Sequence, residues 1–196
     1  MKNISPKAII GKNVIVDDFV VVADHAQIGD NCKIHYFSFV DEGVSIGKNT
    51  KIQNNVMIPH GVRLEEGVFV GPNAVFTNDK YPRSITTDEK LKSSTDWTLS
   101  ETLVKKGASI GAGAIIVCGI NLGEWCMVAA GSVVTKNIPD HAMVKGNPAR
   151  ICGYVDKTGT PMKRIEEEED YCLYYSEKEN AEYKIAKHAN DRKTDL

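Results

Sequence analysis

The sequence predicts an all-β solenoid, a parallel β-helix that carries one long excursion loop and ends in a helix. Three observations lead to this fold class. An apolar residue recurs every six positions, a polar stretch interrupts the repeat once, and the last part of the chain is rich in charge. A period of six fits neither an amphipathic helix, with about 3.6 residues per turn, nor a strand that alternates every two residues, but it is typical of hexapeptide β-helices.

The first block of repeats runs without a gap from Ile4 to Phe76. Side chains two residues before these anchors are small or β-branched, so both positions are expected to point inward. Glycine follows several anchors, as in Ile10-Gly11, and we expect tight or left-handed turns there. The thirteen anchors are Ile4, Ile10, Val16, Val22, Ile28, Ile34, Val40, Ile46, Ile52, Ile58, Leu64, Val70 and Phe76.

The repeat resumes after a polar interval, with anchors at Val104, Ile110, Ile116, Leu122, Val128 and Val134. The interval, residues 77–103, is expected to leave the solenoid as a loop. Loops of this length are uncommon in compact folds and are frequently functional. The loop is therefore the first place to search for a site.

The end of the chain predicts a helix over about residues 160–191. Ile165, Leu173, Tyr175 and Tyr183 are spaced among many charges. The acidic run 166–170 is interpreted as a solvated face near the helix start, where carboxylates favour the helix dipole. The predicted organisation is thus a β-helix over residues 1–155, with the loop inserted, and a C-terminal tail with a helix over residues 156–196.

Composition excludes several classes of protein. The chain has 196 residues, enough for one domain, with 42% apolar and 26% charged residues. Its 24 basic and 26 acidic residues give a net charge of −2, which provides no global field for nucleic acid or a membrane surface. The start lacks an apolar leader, so we expect a cytoplasmic protein. Five cysteines without a CxxC pair argue against disulfides and against a zinc site.

Two segments resemble a known family. The stretch TKNIPDHAMVKGNPARICGYV after Val134, and GVFVGPNAVFTNDKYPRS at residues 67–84, are similar to the hexapeptide-repeat acyltransferases. The second segment resembles the N-acetyltransferases of nucleotide-linked 3-amino sugars used in bacterial surface polysaccharides such as lipopolysaccharide O-antigen. The resemblance implies a left-handed β-helix, with three hexads per coil and about six coils in all, and a homotrimer that binds acetyl-CoA between subunits.

The resemblance also implies a sugar site. Within the loop motif, Asn78, Asp79 and Arg83 match positions at the sugar, and Lys80 lies between them. Arginine offers a planar, permanent charge to a diphosphate or a uronate carboxylate. We therefore expect Arg83 or Lys80 to hold an anionic part of the substrate.

A general base is predicted at His60. A step of three hexads per coil stacks Asp24, Glu42, His60 and Asn78 in one outward column. Transfer of an acetyl group to an amine requires an acceptor for the amine proton. Glu42 or Asn78 is expected to fix the tautomer of His60, whereas the resemblance leaves the departing CoA sulfur as an alternative acceptor. His35, in a neighbouring column, is a candidate for a substrate hydrogen bond.

CoA is expected along the C-terminal coils. The resemblance implies contacts with backbone amides near GASIGAGA and VAAGS, where small residues permit close approach. Cations near these segments would meet the phosphates of CoA. The candidates are Gly113, Ala130, Gly131, Lys136, Lys145, Pro148 and Arg150.

Several alternatives remain at this point. The short N-terminus favours enzymes similar to those acting on UDP-2-acetamido-3-amino-2,3-dideoxyglucuronate, with dTDP-3-amino-3,6-dideoxyhexose N-acetyltransferases and O-acetyltransferases of other small acceptors as competitors. The zinc carbonic anhydrases of the same fold need three convergent imidazoles, and the H-x-x-x-x-H pair is missing. A non-catalytic β-helix binding protein is the alternative outside the enzymes.

Overall fold

The computed structural model describes residues 3–187 and builds them from short strands in four sheets. Three sheets form the faces of a triangular prism, here called sheets A, B and C. The chain visits the faces in the order A, B, C and then begins the next coil. Among residues 3–187 there is no helix, and so no helix long and apolar enough to span a membrane.

The strands of each sheet are as follows. Sheet A contains β1 (Asn3–Ile4), β4 (Val21–Val22), β7 (Phe39–Val40), β10 (Met57–Ile58), β13 (Val75–Phe76), β16 (Ile115–Ile116) and β19 (Val133–Val134). Sheet B contains β2 (Ile9–Ile10), β5 (Gln27–Ile28), β8 (Ser45–Ile46), β11 (Val62–Leu64), β14 (Thr102–Val104) and β17 (Asn121–Leu122). Sheet C contains β3 (Ile15–Val16), β6 (Lys33–Ile34), β9 (Lys51–Ile52), β12 (Phe69–Val70), β15 (Ser109–Ile110), β18 (Met127–Val128), β20 (Ala142–Lys145) and β21 (Arg150–Tyr154). The C-terminal sheet contains β22 (Lys163–Glu167), β23 (Tyr171–Ser176) and β24 (Ala181–Ala186).

The register confirms the predicted solenoid. Strands pair in parallel with the strand one coil later, as in Asn3 with Val21 and Ile4 with Val22. Six coils contain a strand on all three faces, and in a seventh the B face is reduced to a bridge between Leu122 and Ile138. The architecture matches the left-handed parallel β-helix.

The core is a stack of the predicted anchors. From Val22 to Val134 the anchors are at most 2% exposed, and the small or β-branched residues two positions earlier lie beside them in the interior. Because both positions repeat with every hexad, each face of each coil sends two side chains inward. Only the first coil is open, where Ile10 is 36% exposed.

The left-handed turns lie three positions before the anchors, and the prediction that the glycines after the anchors adopt left-handed backbone is wrong. Ten residues other than glycine take φ values of 56° to 62° at these turns. The glycines after the anchors instead allow the backbones of two successive coils to approach closely. A Cβ on Gly47 would lie 2.5 Å from the carbonyl carbon of Glu65 in the next coil. The ten are Asn13, Phe19, His25, Asn31, Phe37, Asn49, Asn55, Asn73, Trp125 and His141.

The excursion loop leaves after β13 and returns at β14. Arg63 pairs with Ser45 in the previous coil, one regular repeat away, and with Leu103 in the next coil, which the chain reaches only after the loop. The coil formed by β13, β14 and β15 is therefore longer than the others by the inserted segment. The register of the anchors continues unchanged on both sides of the loop.

The predicted C-terminal helix is wrong, because residues 163–186 form an antiparallel meander. The segment Tyr171–Ser176 is rich in aromatic residues, which favour strands. Its partner β24 alternates in exposure along part of its length and buries Ile185. Tyr183 packs the meander against the last coil beside His141, with ring centroids 4.8 Å apart, and Tyr174 packs on Tyr154 at 4.9 Å, whereas Ile165 is 52% exposed. Residues 188–191 of the predicted helix lie outside the described residues.

Candidate functional site

Each strand of sheet A ends at a corner that carries polar side chains in four consecutive coils. This polar corner consists of Asp24, Glu42, His60 and Asn78, as the spacing of three hexads predicts. At its lower end Asp24 pairs with Lys7 at 2.7 Å, which together with Ser5 lowers the pKa of its carboxyl group. At its upper end, Asn78 opens the excursion loop.

His60 is exposed and is held from two sides. Its Nδ1 lies 2.7 Å from the backbone oxygen of Glu42, and its backbone N–H donates to Oδ2 of Asp41 at 3.1 Å. A carbonyl oxygen only accepts hydrogen bonds, so Nδ1 carries the proton and the neutral ring presents Nε2 as an acceptor. The partner that fixes the tautomer is therefore the main chain of Glu42 and not its carboxylate.

Asn78 connects the polar corner to the loop. Its Nδ2 donates to the backbone oxygen of His60 at 3.3 Å, and its own carbonyl accepts the N–H of Ser100 at 3.0 Å. Asp79 bridges to Leu99, and Leu99 packs against Gly61, where an added Cβ would come within 2.7 Å of Leu99. The stem of the loop is thus fixed directly beside His60.

A surface cavity of about 380 Å³ opens in the loop. Arg83 is exposed, and its Nη1 donates a hydrogen bond to the carbonyl of Pro82 at 2.8 Å. Lys92 is a second cation at this cavity. Trp97 contributes a half-buried aromatic side chain. The cavity is lined by Asn78, Asp79, Arg83, Ser84, Leu91, Lys92, Ser93 and Trp97.

The structure gathers most of the predicted sugar-binding residues but not all. Asn78, Asp79 and Arg83 share the loop cavity, whereas Lys80 is exposed and does not line it. Leu91, Lys92, Ser93 and Trp97 were missed, because an aperiodic loop gives no register from which neighbours can be computed. The tryptophan in a polar loop was the one available signal.

His35 lies at a different corner, after sheet C. Its Nδ1 is 2.8 Å from Oδ2 of Asp17. Within one chain this His35 corner and the polar corner are separated by the width of sheet A. The structure therefore does not bring His35 beside His60 in a single chain.

The predicted CoA residues occupy the upper coils. Gly113 and Gly131 form left-handed turns at the corner before sheet A, with φ of 67° and 69°, and Ala130 is the exposed residue before Gly131. A Cβ at either glycine would meet nothing within 4 Å, so space is open around this backbone. Small side chains leave the amides accessible, as the prediction requires.

The predicted cations lie just above these glycines. Lys145 and Arg150 face each other in the antiparallel pair β20–β21, and both are exposed. Pro148 is in the turn that joins them, after a cis peptide bond, and the backbone N–H of Ala149 in that turn donates to Val133 at 2.8 Å. Lys136 is exposed after β19. The turn is therefore fixed on the strand that follows Gly131.

Cys118 follows β16 and lies one coil above Asn78, where its backbone N–H donates to the hydroxyl of Thr77 at 3.0 Å, but its side chain is buried. All five are free thiols, and only Cys152 is exposed. Burial raises the pKa of Cys126 to about 12, which disfavours a nucleophilic thiolate. Among residues 3–187 there is no cluster of three His, Cys, Asp or Glu side chains that could hold a metal ion.

Two families of hexapeptide repeat match parts of the chain. The bacterial transferase hexapeptide (six repeats) matches residues 7–42 and 43–78, and the hexapeptide repeat of succinyl-transferase matches residues 26–59 and 106–136. Together with the coil geometry, these repeats define a hexapeptide-repeat β-helix protein. The chain is similar to the hexapeptide-repeat transferases, and among them it resembles the nucleotide-linked 3-amino-sugar N-acetyltransferases.

Individual proteins of known activity resemble parts of the chain. It is 55% identical over 69 residues to dTDP-3-amino-3,6-dideoxy-alpha-D-galactopyranose 3-N-acetyltransferase of Aneurinibacillus thermoaerophilus, a match over 35% of this chain and 36% of the relative. It is 31% identical over 162 residues to serine acetyltransferase 4 of Arabidopsis thaliana, covering 82% of this chain and 32% of the relative. The matches thus span about a third of the length of these relatives.

A solved structure agrees with the fold. It is a mutant of AntD, an N-acyltransferase from Bacillus cereus, in complex with dTDP and coenzyme A. The TM-score is 0.65 at 20% sequence identity, with 76% of this chain and 85% of that chain covered. At this identity the likeness supports the solenoid fold alone.

Proposed function

We propose that the protein transfers the acetyl group of acetyl-CoA to the 3-amino group of a nucleotide-linked amino sugar. The observation that carries the proposal is the pairing of His60, whose Nε2 is free to accept a proton, with Asn78 and the loop cavity beside it. An acyl transfer needs a proton acceptor and a site that positions the acceptor amine, and His60 and the loop cavity at one corner of the solenoid are candidates for these two roles. The product would serve bacterial surface polysaccharide synthesis in the cytoplasm.

The reaction follows from the residues at this corner. The neutral amine attacks the thioester carbonyl, and backbone N–H groups stabilise the oxyanion. The N–C bond forms, the C–S bond breaks, and the amine proton ends on the CoA sulfur, either directly or through Nε2 of His60. Asn78 orients the sugar, and Arg83 or Lys80 holds its anionic part.

CoA would lie along the upper coils. Gly113 and Gly131 offer open backbone there, and Lys145 and Arg150 supply positive charge for its phosphates. Residues 1–155 would then be the catalytic unit, and the tail from residue 156 a cover for its last coil.

We propose a homotrimer on the outer face of sheet A. The outward positions of six consecutive strands are all apolar, and three of them, Met57, Val75 and Ile115, are 37% to 48% exposed. The matching positions of sheet B include Gln27, Ser45, Arg63 and Asn121. Polar residues interrupt the outward rows of sheets B and C, whereas the row on sheet A is unbroken over these six strands, which favours burial against other copies of the chain. The row consists of Val21, Phe39, Met57, Val75, Ile115 and Val133.

The nucleotide is proposed to be a pyrimidine diphosphate. The relative that is 55% identical over 69 residues acts on a dTDP-linked 3-amino sugar, which favours dTDP. UDP-linked 3-amino uronates stay as the alternative, because the cations Arg83 and Lys92 at the loop cavity suit a carboxylate.

The test is release of CoA thiol by the purified protein. Acetyl-CoA is offered with dTDP- and UDP-linked 3-amino sugars, with and without a uronate carboxylate. The matched control substrate carries a 3-hydroxyl group in place of the amine. We expect release with a 3-amino sugar only. Release with the hydroxyl sugar would make the protein an O-acetyltransferase, and absence of both release and CoA binding would contradict the acyltransferase proposal.

A further inference from the structure

Phe19 and Phe37 form an exposed aromatic stack at the corner before sheet A. Their ring centroids are 5.1 Å apart with an interplanar angle of 6°, and the rings are 56% and 59% exposed. Tyr36, 45% exposed, lies 6.4 Å from Phe37 at a tilt of 43°. We call these three residues the aromatic corner.

Neither the turn nor the core requires these aromatic side chains. Phe19 and Phe37 both have φ of 62°, a backbone conformation that is unusual for a bulky residue. The same corner carries asparagine or glycine in later coils, at Asn55, Asn73 and Gly113, and these residues adopt it more readily. Strained residues that point their apolar surface into solvent are typical of binding sites.

The aromatic stack ends at Phe37, because the next coil carries no aromatic residue at this turn. Asn55 follows Phe37 in the next coil, and its N–H donates to the backbone oxygen of Tyr36 at 3.0 Å. The face of Phe37 towards that coil therefore adjoins a small amide instead of a third ring. A flat heterocycle that stacks there would continue the ladder, with the Asn55 amide available for its polar edge.

Two lysines lie on strands that lead into the aromatic corner, whose lowest turn also carries the carboxylates Asp17 and Asp18. Lys33 and Lys51 are directly paired in register on the outer face of sheet C, which leads into this corner. Like charges opposite each other destabilise a sheet. Neither lysine forms an ion pair within residues 3–187. An anionic ligand such as a diphosphate would neutralise both.

The corners of sheet A meet only between subunits. The aromatic corner precedes sheet A, and the polar corner follows it. In a trimer closed by threefold rotation around sheet A, each contact joins the leading edge of one chain to the trailing edge of the next. Phe37 of one subunit is then level with Glu42 of its neighbour, and His60 and Asn78 lie one and two coils higher in the same groove.

The heights of these residues along the solenoid axis match the order in which the parts of the two substrates would follow one another. Phe37 lies two coils below Asn78 and three below Gly113, or about 10 Å and 14 Å at the usual strand spacing. From bottom to top, the groove thus presents an aromatic stack, a polar corner and the glycines proposed for CoA. This is the order of base, sugar, acetyl group and CoA.

We propose that Phe19 and Phe37 form the platform on which the pyrimidine base of the nucleotide sugar stacks, with Lys33 and Lys51 near its diphosphate. This inference rests on the proposed function, because it assigns the end of the same substrate that is remote from the reaction. It assigns each complete site to two subunits.

The experiment is calorimetric titration of dTDP and of UDP into the whole protein and into Phe37→Asn. Asparagine is the natural choice, because it occupies this turn in other coils and tolerates its backbone. Loss of a stacked base is expected to weaken the binding of dTDP about tenfold to a hundredfold. CoA affinity and the trimer, measured by titration and light scattering, are expected to stay unchanged. Trp125→Asn is the matched control, because it also replaces an aromatic side chain at a left-handed turn, but at the corner before sheet C, where asparagine stands in lower coils.

Each outcome decides the proposal. Unchanged dTDP affinity in Phe37→Asn, or no nucleotide binding by the unmodified protein, would overturn it. Dissociation of the trimer by Phe37→Asn would also overturn it and would make the stack a subunit contact. Thiol release by the unmodified protein tests the transferase separately. If the unmodified protein transfers acetyl groups but Phe37→Asn binds dTDP as tightly, only the platform is refuted. If Phe37→Asn binds dTDP more weakly but the unmodified protein transfers no acetyl group, only the transferase is refuted.

Discussion

At the scale of single residues, the reactivity of His60 depends on one main-chain acceptor. The carbonyl of Glu42 holds the Nδ1 proton, and so Nε2 is the ring atom that can accept a proton in the proposed reaction. The side chain of Glu42 is not needed for this tautomer. Its carboxylate is available for the substrate.

We expect His60→Asn to lower kcat by about 10² to 10⁴, the usual contribution of a general base. Steady-state thiol release measures the change, and CoA binding is expected to be unaffected. His25→Asn, at an exposed left-handed turn two coils earlier, is the control, because asparagine suits that backbone. A loss below about tenfold in His60→Asn would assign the proton to the CoA sulfur.

The sequence predicts residue columns well and their local contacts poorly. The spacing of three hexads per coil placed His60 and Asn78 together, because parallel strands stack in register. It did not reveal that the partner of His60 is a carbonyl, since every residue has one. The loop cavity was equally hidden, because Lys92 and Trp97 follow no period.

At the scale of elements, the C-terminal meander is joined to the solenoid by one buried carboxylate. Asp156 follows β21 and is 1% exposed. Its Oδ1 accepts hydrogen bonds from the backbone N–H and the hydroxyl of Thr158 and from the N–H of Thr160. Its Oδ2 accepts a hydrogen bond from the hydroxyl of Ser176 in β23 at 2.5 Å. Although burial opposes ionisation, the hydrogen bonds from Ser176, Thr158 and Thr160 hold the pKa of Asp156 below its usual 3.8.

We expect Asp156→Asn to lower the free energy of unfolding by about 1 to 2 kcal/mol at pH 7, because charge-assisted hydrogen bonds are replaced by weaker ones. A carboxyl group whose pKa is lower in the folded state stabilises the protein above its unfolded pKa, near 3.8, and loses that effect as pH falls through the folded value. The difference between the two proteins is therefore expected to narrow below about pH 4. Urea unfolding at pH 7, 5 and 3 measures it, and a constant difference would contradict the assignment.

The meander also explains the wrong helix prediction. Apolar residues spaced over several turns of a helix are compatible with strands when the turns between them are short. Asn180, with φ of 50°, sits in the tight turn between β23 and β24, and a charged sequence hides such a turn. Contact with Tyr154 and His141 of the solenoid supplies the burial that the sequence alone does not show.

At the scale of the whole molecule, the apolar row of sheet A gives a direct test of assembly. We expect Met57→Lys to raise the dissociation constant of the trimer at least about a hundredfold, because three unpaired charges would be buried at the interface. The monomer should remain folded, since Met57 points out of the solenoid and is 48% exposed. Sedimentation equilibrium distinguishes the species. Gln27→Lys on sheet B is the control, and a trimer that survives Met57→Lys would assign another face to the contact.

The solenoid was predictable as a whole, because one rule repeats through it. Every coil uses the same two inward positions, so a single period in the sequence fixes the core, the faces and the number of coils. The assembly was not predictable from that period. Which face is apolar depends on the outward residues, such as Met57 and Val75, and these are readable only once the faces are known.

The excursion loop lengthens one coil without shifting the anchors that follow it. In the language of protein evolution, the insertion is modular: the coils above and below need not change when the loop is lengthened, shortened or exchanged. Under the proposed function, the residues of the loop cavity that select the sugar can therefore change independently of the anchors that stabilise the solenoid. A chimaera that receives the loop of a relative between β13 and β14 should inherit its sugar preference on an unaltered scaffold.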